Sequence, residues 1–132
     1  MKSRDTLIRL KRFQVEEKRR RVTQIEAMIA EFSRMAGDLD REIASEEQRS
    51  GVADITHFAY STYARAARTR RDNLHQSAGE LRGQLDDAKA RLEEASAELA
   101  TVQTMDVRDK AAEVVRDRGE APGLTGQRSA RV

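Results

Sequence analysis

The chain contains no cysteine and no tryptophan, a single proline, and only five aromatic residues in 132. Without cysteine there is no disulfide framework and no thiolate metal site, which fits a reducing compartment. No apolar run approaches the ~18 residues of a membrane-spanning helix. The N-terminal stretch is charged and amphipathic rather than signal-like, so the expected setting is the cytoplasm. No glycine-rich phosphate loop is present. His57 and His75 are 18 residues apart with no carboxylates at ligand spacing around them, and read as ordinary surface or edge histidines. Glu93–Glu94 and Asp86–Asp87 read as solvated helix faces. No catalytic residue, metal, cofactor or small-molecule substrate is expected, and the chain is not expected to be an enzyme.

What is abundant is charge, 36% of the chain against 38% apolar residues. That balance is poor for a globular core but normal for a coiled coil, where about two positions in seven are buried. The apolar residues keep the matching rhythm. Ile8, Val15, Val22, Ile29, Ala36 and Ile43 fall seven apart, with Ile25, Phe32 and Leu39 three residues after three of them. Downstream, Ala64, Ala78, Leu85, Leu92 and Leu99 hold one seam position, and Tyr60, Ala67, Leu74, Leu81, Ala88, Ala95 and Val102 the other. One interruption, Ser50 to Thr56, separates the two runs. The expected fold is all-α, a two-helix antiparallel coiled-coil hairpin over residues 1–118.

Within it, helices are expected at 3–50 and 56–118, joined by a link at 51–55. Ser3 is a candidate N-cap with Asp5 in the first turn. Gly37 falls inside the first helix, and Gly51 suits the left-handed residue that ends it. Asp54 or Thr56 could cap the second helix. Residues 119–132, with Gly119, Pro122 and few apolar side chains, are expected to form a disordered tail. A register in which paired residue numbers total about 110 sets Phe32 against Ala78, Ala36 against Leu74 and Ile29 against Leu81, alternating large with small. A register near 103 would set Ala36 against Ala67 and leave a thin layer.

The net charge of +2 is unevenly spread. Residues 1–21 carry nine basic and three acidic side chains, a net +6, whereas residues 22–50 carry three basic and seven acidic, a net −4. Such a field can orient the molecule against a charged partner, or simply solvate a coiled-coil surface. Lys11, Lys18 and Arg71 occupy seam positions. They either fix register or loosen the pairing so that it can repack on a partner. Leu10 and Phe13 lie off the seam on a face shared with Glu17 and flanked by Arg9, Arg12 and Arg20. They form a docking surface, are covered by a third helix or a dimer partner, or close the hairpin end. The candidate partner-binding residues are therefore Leu10, Lys11, Arg12, Phe13, Arg19, Arg20 and Arg21.

The stretch from His57 to Arg71 gathers three of the five aromatics with four arginines. Aromatic and arginine side chains so interleaved can stack on bases, which raises single-stranded nucleic acid as a partner. Packing of the tyrosines at the hairpin tip explains the same spacing without a ligand and is the stronger reading.

The segment Arg9-Leu10-Lys11-Arg12-Phe13-Gln14-Val15-Glu16-Glu17-Lys18-Arg19-Arg20-Arg21-Val22, followed by a heptad helix of this length, resembles the start of the FliJ family of flagellar type III export proteins. His57-Phe58-Ala59-Tyr60, Ala64-Arg65-Ala66-Ala67-Arg68 and Arg71-Asp72-Asn73-Leu74 resemble the alphaproteobacterial version of that family. The likeness covers roughly residues 2–102 and excludes the tail. It implies an antiparallel coiled-coil hairpin similar to the central stalk of rotary ATPases. The partners it implies are the hexameric export ATPase, the cytoplasmic domain of the export gate and export chaperones. The place it implies is the cytoplasm at the flagellar base, touching the membrane only through the gate. The alternatives are a homodimeric coiled-coil scaffold and, third, a nucleic-acid-binding helical arm using Arg19–Arg21 and Arg65–Arg71.

Overall fold

The computed structural model of the chain describes residues 3–118. Two helices pack against each other, α1 at Lys2–Ser50 and α2 at Thr62–Arg131, and the described residues contain no strand. None of the described helices is long and apolar enough to cross a membrane. The expected tail at 119–132 lies outside the described residues. The chain divides into two units, one of Met1–Glu17 with Glu93–Val132 and one of Lys18–Leu92.

In the Lys18–Leu92 unit the heptad residues form the core. Val22, Ile25, Leu81 and Ala88 make a buried cluster against which Ile29, Phe32, Leu85 and Leu92 pack. This one cluster holds both members of Ile29 and Leu81, of Ile25 and Leu85, and of Val22 and Ala88, whose numbers total 110, in keeping with the register expected near that value. The contacts of Asp40 with Arg71, Glu47 with Arg68, Glu46 with Ser61 and Glu42 with Tyr63 total 111, 115, 107 and 105, so the helices run antiparallel and these longer side chains scatter about the register of 110. The small seam residues Ala36, Ala64 and Ala78 are fully buried, whereas Phe32, Leu39 and Leu74 are only half-buried. Two helices alone cannot enclose a long side chain on all sides, so its far end stays at the edge of the seam.

The turn between the helices is longer than the sequence suggests. Gly51 does end α1, with φ at +76° and its N–H donating to the Glu47 carbonyl at 2.9 Å. Neither Asp54 nor Thr56 caps α2, however, and the link runs to residue 61 instead of 55. The Asp54 carboxylate accepts from the Thr56 hydroxyl at 2.7 Å and from its N–H at 3.0 Å, closing a local turn. A second turn follows, in which the Tyr60 N–H donates to the His57 carbonyl at 3.0 Å. The cap is Ser61, whose hydroxyl accepts from the Ala64 N–H at 3.2 Å, three residues on.

In the Met1–Glu17 and Glu93–Val132 unit, Ile8, Val15, Ala95 and Val102 are buried and Leu99 is half-buried. Arg4 pairs with Asp109, and Lys11 Nζ lies 3.0 Å from Glu98 Oε2. These pairs make the two segments antiparallel. Ser3 is already helical rather than a cap, while Asp5 is in the first turn as expected. A seam position of α2 carries charge as well: Asp106, seven residues after Leu99, is buried and pairs with Lys110 Nζ at 3.0 Å.

Candidate partner-binding surface

The seven candidate residues all lie on α1, and they divide between the two units. In the unit containing Met1–Glu17, Leu10 is 49% exposed and Phe13 57% exposed. Both project away from the seam line of Ile8, Lys11 and Val15, three and six residues after Leu7, which is also exposed. Arg12 is exposed next to Phe13. Lys11 behaves differently from its neighbours. It occupies the seam, half-buried, with its ammonium on Glu98, and so pairs the two helices.

That pairing revises the expected basic end. The +6 of residues 1–21 lies along one helix, but the segment 93–118 carries seven acidic and four basic side chains, a net −3. Arg4 and Lys11 are matched by Asp109 and Glu98. The surface of this unit is thus apolar side chains among balanced charges, not a bare cationic patch. The same unit exposes Val107, Val114 and Val115 on α2. Val107 and Val114 are seven apart, with the exposed Ala111 between them, and make an outward stripe that the heptad reading of the main seam overlooked.

In the Lys18–Leu92 unit, Arg19, Arg20 and Arg21 are exposed at the start of the unit's α1 segment, and Lys18 is half-buried on the seam. The cationic element of the candidate surface therefore rests on these three arginines.

The other candidate region, His57 to Arg71, is mostly spent on its own structure. Tyr60 is buried, and its hydroxyl donates to Glu47 Oε2 at 2.7 Å while accepting from Arg68 Nε at 2.8 Å. Arg68 also reaches Glu47 at 3.0 Å, and the two bonds hold the Glu47 carboxyl below the usual glutamate range, the tyrosine contributing most. The Arg65 guanidinium donates to the Ile55 carbonyl at 3.0 Å and lies over the Tyr60 ring. Arg71 is tied to Asp40 and Asp72. Glu46 is held below the usual range first by Arg49 and also by the Ser61 hydroxyl. Tyr63 is exposed but donates its hydroxyl to Glu42 at 3.0 Å, which raises its pKa. Of the three aromatics only Phe58 stands clear of the protein, 95% exposed and stacked on the His57 ring. Its isolation could not be read from spacing, because the expected helix at 56–118 includes Phe58 in its first turn, whereas α2 begins only at Thr62.

Compared with protein-family models, with curated proteins and with solved structures, the chain matches none.

Proposed function

We propose that the protein is a non-enzymatic component of the flagellar type III export apparatus, a stalk or adaptor that associates with the hexameric export ATPase. The observation that carries this reading is the half-exposed Leu10 and Phe13 beside the unpaired cation Arg12, within the segment that resembles the FliJ family. Large apolar side chains held in water on a well-formed helix suit a protein surface that closes over them. Arg19, Arg20 and Arg21 supply charge for encounter with acidic groups of the ATPase. The export-gate cytoplasmic domain and export chaperones are the further partners of this reading, at the flagellar base on the cytoplasmic side. Titrating the purified protein into purified export ATPase tests it. Stimulated hydrolysis that declines as salt rises supports the proposal, and no effect on hydrolysis at any stoichiometry contradicts it.

A second reading, a homodimeric scaffold, is favoured by the exposed Val107, Ala111 and Val114 stripe. Molar mass in solution separates the two: 14.9 kDa supports the adaptor and twice that mass the scaffold. Nucleic acid draws less support, because Tyr60 is buried and Arg65, Arg68 and Arg71 are engaged within the hairpin.

A further inference from the structure

The link between the helices is held by a histidine that must be neutral to hold it. The Ala59 N–H donates to His57 Nδ1 at 3.0 Å, which requires a lone pair on that nitrogen and places the ring proton on Nε2. The same ring stacks on Phe58, with centroids 4.7 Å apart and planes 21° from parallel. His57 is thereby the one side chain that both closes the last turn of the link and backs the exposed aromatic at its end.

We propose that His57 is a pH-operated latch. Neutral, it keeps the turn closed and Phe58 displayed; protonated, it releases the Ala59 N–H and turns toward Asp54, so that the link opens and Phe58 loses its fixed position. Protonation of Nδ1 sets a donor against the Ala59 donor, so the bond is lost outright rather than weakened. A carboxylate stands ready to receive the imidazolium. Asp54 lies three residues back, and its carbonyl accepts from the His57 N–H at 3.1 Å, which sets the two residues in one turn. The bonds from Thr56 keep Asp54 ionised below the usual aspartate range, so it stays an anion throughout the interval in which a histidine titrates.

The charged groups that reach the link from the helices are already committed. Arg65 of α2 holds the Ile55 carbonyl, Glu47 of α1 holds Tyr60 with Arg68, and Glu46 of α1 holds Ser61 with Arg49. Those contacts fix the link on either side of His57, at Ile55 and at Tyr60–Ser61. The change is therefore confined to residues 56–59, and the helices beneath do not take part.

The test is amide exchange measured by NMR on the full chain at pH 8 and pH 5, corrected for intrinsic pH dependence. In the native protein the protection of the Ala59 amide should fall about five- to tenfold at the lower pH, the loss of one ordinary hydrogen bond. His57→Asn offers a side-chain oxygen in place of Nδ1 and does not titrate, so protection should persist at both values. His57→Ala should lack it at both. The Ile25 amide should hold its protection throughout. Equal Ala59 protection at the two pH values in the native protein would overturn the proposal. So would a matching loss in His57→Asn, or a parallel loss at Ile25.

Discussion

Arg68 and Glu47 meet across the two helices at 3.0 Å, and the buried Tyr60 hydroxyl bonds to both. The three groups join α1, the link and α2, and each satisfies the polar atoms of the others. Because Glu47 is held below the usual glutamate range in the folded protein, its contribution is fully present above the ordinary carboxylate pKa. It is lost as pH falls through the lowered, folded value. Tyr60→Phe removes the first cause of that shift. It should cost about 1–2 kcal/mol at neutral pH and flatten the fall of stability in acid. Urea unfolding at pH 7 and pH 3 measures both, and an unchanged difference between the two would contradict the assignment.

The core can be ranked by enclosure. Among the described residues Ile25 is the largest side chain that is fully buried, at 1% exposure, whereas Phe32 is only half-buried beside it. Ile25→Ala should cost about 2–4 kcal/mol. Phe32→Ala, although it deletes more atoms, should cost less than the roughly 3–5 kcal/mol of a fully enclosed phenylalanine. Thermal or urea unfolding of the two variants checks the order. A greater loss in Phe32→Ala would mean that something covers that edge of the seam in solution.

The start of α2 is open to the same treatment. Ser61 caps the helix by accepting from the Ala64 N–H, and its hydroxyl also donates to Glu46 Oε1 of α1 at 3.1 Å. Ser61→Ala should therefore cost about 1–2 kcal/mol, and Thr56→Ala, which touches only the exposed turn at Asp54, well under 1 kcal/mol. The reverse order would restore the earlier helix start.

Periodicity made the seam and its register legible, because burying two positions in seven leaves a direct trace in residue type. Ile8, Val15, Val22, Ile25, Ala36 and Ile43 are all buried, as are their partners from Ala64 to Val102 that carry small side chains. The link was less legible. Asp54 and Thr56 are good capping residues in isolation, and only the bonds between them show that they close a turn of their own instead. Charge was the least legible of all. Counting along α1 gave a basic segment, but Asp109 and Glu98, over eighty residues away, answer Arg4 and Lys11. Seven-residue spacing continues past Val102, to Asp106 on the seam and to the outward Val107 and Val114 pair.

The central claim, that α1 presents an apolar anchor and separate cations to an export ATPase, is tested most directly by association and dissociation rates with the purified hexamer. Phe13→Ala should speed dissociation by on the order of tenfold and leave association nearly unchanged, because a desolvated aromatic governs lifetime. Reversal of Arg19, Arg20 and Arg21 to Glu should slow association by on the order of tenfold at low salt and reverse its salt response. All four side chains are exposed, so helix content should survive both changes. Binding of both variants at native rates, with native salt dependence, would contradict the account.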